Sequence, residues 1–179
     1  MRKIIVTEFL SLDGVMENPA WTFPYWNDDI AAFKGEETDG NSDAMLLGRV
    51  TYEGFAAAWP NSPDPGAPYF NSVRKYVVSR TLDKADWNNS VIIRDNVYEE
   101  IAKLKQQDGL PIVVHGSATL AQSLIQQGLV DTVRLLVYPV VIGKGKRLFN
   151  EDTAAKLTLV ESRPVGGGVL GLIYDVVKE

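Results

Sequence analysis

LPIVVHGSATLAQSLIQQ, residues 110–127, is the stretch whose reading decides the fold. Ile112, Val113 and Val114 form a continuous apolar run, the mark of a short strand buried on both faces. His115, Gly116 and Ser117 then turn the chain. Leu120, Leu124 and Ile125 recur at helical spacing, and Gly128 follows as a C-cap. The turn leaves the first N–H groups of the helix without intrahelical partners, and these point to where a phosphate could sit. Many α/β domains make such a turn with nothing bound, so its meaning depends on the rest of the chain.

Upstream, residues 3–9 (KIIVTEF) read as a central strand rich in β-branched residues. Ser11-Leu12-Asp13-Gly14 breaks it. An irregular stretch then runs to Trp26 through Pro19, Trp21, Phe23 and Pro24. So many aromatic rings are costly to leave in water, so this loop folds over something, either a satellite core or a substrate. Asn27 is an N-cap, with Asp28 and Asp29 in the first helical turn, and Ile30 and Phe33 form the apolar side of that helix. Gly40 and Asn41 end it. Residues 44–47 make a second strand, 49–59 a second helix, and the proline-rich residues 60–68 a surface loop. Residues 75–79 and 90–94 are strands. Asn96 caps a helix with Ile101 and Leu104 inward, which stops at Asp108-Gly109. After Gly128 come a long strand over 132–141, a basic turn at 143–147, and an antiparallel pair over 156–161 and 169–177. Strands alternating with helices imply an α/β fold in three layers, helix–sheet–helix. Its mixed sheet has about eight strands, mostly parallel, with an antiparallel C-terminal edge. One domain over residues 1–179 is the expectation.

The composition narrows the function. A net charge of −5 offers no basic excess for a nucleic-acid backbone. With no cysteine and one histidine there is no disulfide, no thiolate metal site and no histidine-rich one. The apolar run after Arg2-Lys3 is cut short by Glu8 and Asp13, so it is neither a signal peptide nor a membrane span, and a cytoplasmic protein is expected.

Three strand ends share a composition. Gly48, Arg49 and Thr51 leave the second strand, Ser79, Arg80 and Thr81 the third, and Gly116, Ser117 and Thr119 the fifth. In parallel sheets, ligands bind beyond the carboxyl ends of the strands. Arginine forks with short hydroxyls and two helix N-termini suit phosphate, whereas each segment alone would pass for surface charge and tight turns. No G-x-G-x-x-G fingerprint and no P-loop is present. His115 reads as a packing residue, an acid–base role being the alternative. Asp29 shares a helix face with Phe33, at the apolar boundary. It fits either helix N-terminal electrostatics or a proton donor whose pKa is raised by apolar walls.

The chain resembles the dihydrofolate reductase-like superfamily, and within it the branch containing the C-terminal reductase domain of the bifunctional riboflavin-biosynthesis deaminase-reductases, in stand-alone form. Ser11–Gly14, LLGRVTYEGF (46–55), VVSRT (77–81), VHGSATLAQSL (114–124) and YPVVIGKGKRLF (138–149) carry the resemblance as an ordered set. It implies an NADPH-dependent reductase, acting like a 5-amino-6-(5-phosphoribosylamino)uracil reductase or a pterin reductase on a small heterocyclic or conjugated substrate, and it suggests a homodimer. The alternatives are an NADP(H)-binding protein with little turnover, and a genuine dihydrofolate reductase. Gly48, Arg49 and Thr51 match the family's first cofactor segment. Ser79, Arg80 and Thr81 match the segment that reads the 2′-phosphate. Gly116, Ser117, Ala118, Thr119 and Leu120 match the pyrophosphate turn, where the family usually has two adjacent glycines. Asp29 matches the carboxylate that meets the pterin, and Asp13, Trp21 and Phe33 are the further candidates for the substrate side. The deaminase half of the bifunctional proteins would carry a zinc motif, and this chain has no such ligand cluster.

Overall fold

The computed structural model describes residues 1–38 and 40–178. In chain order the elements are β1 (Ile4–Leu10), a 3-10 helix (Pro19–Tyr25), α1 (Asp28–Gly35), β2 (Ala44–Gly48), α2 (Arg49–Ala58) and α3 (Ala67–Ser72). There follow β3 (Arg74–Val78), β4 (Ser90–Ile93), α4 (Val97–Gln106), β5 (Ile112–Val114), α5 (Ala118–Gln126), β6 (Thr132–Val137), β7 (Leu157–Pro164) and β8 (Leu170–Val176). The eight strands form one sheet in the order β4-β3-β2-β5-β1-β6-β8-β7. All neighbours from β4 to β6 run parallel, whereas β8 pairs antiparallel with β6 and with β7. The mixed sheet with an antiparallel C-terminal edge is as the sequence implies.

Alternation along the strands builds the two faces. Ile4, Val6, Ala44, Leu46, Ile112 and Val114 pack on one face beneath Ile101 and Leu104 of α4 and Leu120, Leu124 and Ile125 of α5. Met45, Leu47 and Val77 point to the other face, against Tyr52 of α2 and Tyr69 of α3. There too, Ile30 and Phe33 of α1 pack on Leu136 and Ile173. Burying a side chain of this size contributes roughly 1.5–3 kcal/mol, so these layers dominate stability.

Three elements depart from the expectation. Pro68 lies in the first turn of α3, where a proline's missing N–H costs nothing, so the proline-rich loop ends in a helix. The aromatic loop is a 3-10 helix whose rings divide: Trp21 and Tyr25 pack edge-on against Tyr138 at 5.5 and 5.6 Å, while Phe23 and Trp26 are exposed. The strand expected over 132–141 stops at Val137, and Pro139 has no N–H to continue the ladder.

A buried polar cluster fixes α1 to the sheet. Both Glu37 carboxylate oxygens accept from Thr7 Oγ1 of β1 at 2.8 Å, and Arg134 Nε of β6 donates to Glu37 Oε2 at 3.0 Å. Lys34 pairs with Glu37 and donates to Thr7 Oγ1. Arg134 also reaches Glu36 and the Phe33 carbonyl, both at 2.9 Å. Deleting one member of a buried charge set strands the others, so Arg134→Met is expected to destabilise the protein by about 3 kcal/mol in urea unfolding. A loss near zero would show that solvent rescues Glu37.

Candidate functional site

The site is built where β2 and β5 end. The Gly48 amide donates to the Gly116 carbonyl at 3.0 Å. A Cβ on Gly48 would stand 2.6 Å from Ser117 Oγ, so only glycine permits this approach. Gly116 has φ +109°, and the peptide bond that follows it is cis. Gly48 is the N-cap of α2 and Ser117 that of α5, where the Ser117 side chain accepts from the Leu120 amide at 3.4 Å. Two helix N-termini, one from each face of the sheet, therefore meet at its carboxyl edge. Their unpaired N–H groups and dipoles favour an anion there.

Beside them lies a cavity of about 570 Å³ lined by Gly48, Arg49, Val78, Ser79, Arg80, Arg94, Asn96, Val97, Tyr98, Glu99, Ser117, Thr119, Leu120 and Ser123. Arg80 is exposed, with no hydrogen bond or ion pair among the described residues. Arg49 is held by Glu53 one turn on, at 2.9 Å, and Arg94 donates to the Asp83 carbonyl at 3.0 Å. Ser79 Oγ caps its own turn, accepting from the amides of Thr81 and Leu82 at 3.2 and 3.0 Å. The cavity thus gathers Gly48, Arg49, Ser79, Arg80, Ser117, Thr119 and Leu120 from three strand ends. Thr51, Thr81, Gly116 and Ala118 stand outside its lining, Thr51 bordering Gly116 and Ala118 buried in the helix.

Sequence reasoning passed over Arg94, although the signal was present: it leaves β4 as Arg49 leaves β2 and Arg80 leaves β3. A larger groove of about 850 Å³ runs between α2 and the β3–β4 connection, past Glu53, Lys84, Asp86 and Trp87. It shares no lining residue with the cavity above and is lined by no arginine.

On the face carrying α1 to α3, two aromatic groups flank the ends of β1 and β5. Phe9, Trp21 and Tyr25 surround Tyr138, whose hydroxyl is buried without a partner, its pKa pushed up to about 12 by that burial. Phe55 and Phe70 stand against the His115 ring at 5.7 and 5.6 Å. His115 Nε2 is shut off from solvent with no partner. Burial, aided by the charge of Lys34, holds this imidazole well below its usual range, so it stays neutral.

Three expectations are corrected. Phe33 is buried, not a substrate wall: a Cβ on Gly171 would lie 2.7 Å from its ring, and Arg134 and Arg163 stack over it. Asp29 is exposed rather than set against apolar walls. Asp13 is spent on architecture, accepting from Ser11 Oγ at 2.6 Å and from the amides of Ile142 and Gly143 at 3.1 and 2.8 Å. Those hydrogen bonds, Ser11 first, hold its carboxyl down at about 2. Trp21 is half-buried against Tyr138, outside the lining of the cavity.

The carboxylate that sequence reasoning missed is Glu8, near the end of β1. It is buried, its Oε1 has no partner, and burial pushes its pKa up to about 8; Lys34 opposes that rise and Glu37 adds to it. Only its place at the end of an apolar run marks it in the sequence.

A central parallel sheet closed by an antiparallel edge, with a polar cavity across its carboxyl ends, defines a dihydrofolate reductase-like domain. Residues 2–170 match the RibD C-terminal domain, and the chain belongs to that family. The uncharacterized protein YyaP of Bacillus subtilis is 36% identical over 183 residues, covering 97% of this chain and 94% of the relative. Among solved structures, a putative riboflavin biosynthesis protein from Shewanella sp. PV-4 superposes with a TM-score of 0.77 at 19% identity, covering 98% of this chain and 99% of the other. Dihydrofolate reductase from Enterococcus faecalis, complexed with NADP(H) and RAB-propyl, gives a TM-score of 0.66 at 18% identity, covering 98% and 97%. Among the described residues no helix is long and apolar enough to cross a membrane.

The raised Glu8 carboxyl has a signed consequence for stability. The folded state keeps the Glu8 proton up to about 8, whereas the unfolded chain loses it near 4.5, so this contribution is full below 4.5 and is lost as pH rises through about 8. Urea midpoints across that range should fall more steeply for wild type than for Glu8→Gln. Parallel curves would mean that Glu8 is ionised in the fold.

Proposed function

We propose that this protein is an NADPH-dependent reductase that passes hydride to a small, planar, conjugated substrate. One observation carries the reading: two helix N-termini and three arginines converge on one cavity at the carboxyl edge of the sheet. The residues fit the dinucleotide. Arg80, Arg94 and Ser79 would hold the 2′-phosphate, and the N-termini of α2 and α5, with Arg49 and Thr119, the diphosphate. Gly48 and Gly116 let the ends of β2 and β5 come together, since a Cβ on one would collide with Ser117 and on the other with Thr51. When bound, the nicotinamide supplies the hydride, and the protein's part is to orient it and keep water out.

The substrate would lie over the ends of β1 and β5, between the aromatic groups around Tyr138 and His115, with Lys34 and Thr7 as its polar floor. The accompanying proton comes from water, since the carboxylate expected to deliver it, Asp29, is exposed. A solved structure of the same fold carries NADP(H), which supports the cofactor assignment. Self-association into a homodimer is part of the same proposal and is read by light scattering.

Titration of NADPH by fluorescence should give saturable binding that is tighter than NADH binding. Arg80→Ala and Arg94→Ala should each weaken NADPH binding by about tenfold or more while leaving NADH binding nearly unchanged, because each removes a charge-assisted hydrogen bond to phosphate. No saturable binding to wild type overturns the proposal. Tight binding without oxidation across a broad panel of conjugated substrates would favour a nucleotide-binding protein with little turnover, and dihydrofolate in that panel tests the remaining alternative.

A further inference from the structure

The cavity ends at Ser117, and the strand order says what lies next. Along the sheet the order is β4-β3-β2-β5-β1, with the candidate 2′-phosphate groups on β3 and β4 and the diphosphate groups on β2 and β5. A dinucleotide laid across these strand ends brings its nicotinamide to β5 and β1. Gly116 ends one of these strands and Glu8 stands near the end of the other. Glu8 is only 8% exposed and its Oε1 has no hydrogen-bond partner. That oxygen lies 3.6 Å from where a Cβ on Gly116 would be, a point only 2.9 Å from Thr51 Oγ1 and 3.8 Å from Met16 Cε. A buried polar atom left unpaired is rare and costly in a native fold, and here it stands beside Gly116, where any side chain would collide with Thr51.

We propose that Glu8 receives the nicotinamide end of the dinucleotide, its carboxyl hydrogen-bonding the ring's carboxamide and setting which oxidation state of the cofactor binds better. This rests on the dinucleotide reading above. The charged groups acting on Glu8 are Lys34 of α1 and Glu37 just beyond its C-terminal end. Just after β5, the neighbouring His115 is neutral, and Thr51 of α2 and Met16 of the loop carry no charge. At neutral pH the Glu8 carboxyl is a neutral acid, able to donate to the carboxamide oxygen without attracting positive charge. The reduced ring is uncharged and the oxidised ring carries one positive charge. Ionised Glu8 therefore favours NADP⁺, and neutral Glu8 removes that preference.

The test compares the intact protein with its Glu8→Gln and Glu8→Met variants, titrated with NADPH, NADP⁺ and 2′,5′-ADP. The ratio of NADP⁺ to NADPH affinity in wild type should rise about tenfold between roughly pH 6.5 and pH 9, levelling off once Glu8 is ionised in both complexes. The 2′-phosphate titrates alike in both dinucleotides and cancels in the ratio. Glu8→Gln and Glu8→Met should still bind both with a ratio independent of pH, and 2′,5′-ADP, which lacks the nicotinamide, should bind all three proteins equally. A flat wild-type ratio, or variants that keep the wild-type slope, overturns the role of Glu8 while intact 2′,5′-ADP binding leaves the dinucleotide reading standing. Failure of 2′,5′-ADP to bind overturns both.

Discussion

The bond from the Gly48 amide to the Gly116 carbonyl is the constraint on which the rest of the site depends. It brings together the N-termini of two helices that lie on opposite faces of the sheet, so two partial positive charges share one edge. Apposed helix ends of like sign repel, and the fold accepts that cost because the strands beneath are held by apolar layers on both sides. The electrostatic imbalance is local: the chain as a whole carries −5. An anion placed there would relieve a repulsion already present, with little reorganisation.

A second constraint sets the position of α1. Glu37 is anchored by Thr7, Lys34 and Arg134, from two strands and its own helix region. This anchoring turns Phe33 into the layer under Gly171 and leaves Asp29 at the surface. The same helix in the same place would present a different face without it. The polar cluster therefore decides which residues of α1 face the sheet and which face outward.

Periodicity was enough to reveal all eight strands and their order along the chain, because buried strands such as IVV at 112–114 have no other reading between turn residues. The three phosphate-suited strand ends were legible for the same reason: glycine, arginine and hydroxyl residues follow apolar runs. Long-range pairing was not legible. Nothing local to Asp13 announces that it will accept from residues 142 and 143, and nothing local to Glu8 says that its neighbours will deny it a partner. The α1 face failed for a related reason: positions i and i+4 share a side of a helix, but which side turns inward was decided by Arg134, about a hundred residues away in sequence. The short helix over Ala67–Ser72 was hidden by prolines that end most helices but can begin one.

The strand order has a consequence for how the chain is made. β1 is the first strand to emerge and stands in the middle of the sheet, yet both its neighbours, β5 and β6, begin only at Ile112 and Thr132. During synthesis the run Ile4–Leu10 therefore waits, unpaired on both edges, until Ile112–Val114 and Thr132–Val137 have been made. Such an apolar β-run is the kind of segment that joins other chains when left open. Its pairing with strands so distant in sequence raises the contact order, which slows folding in general. Glu8 and Thr7, polar residues within this otherwise apolar strand, interrupt the run, which opposes such association.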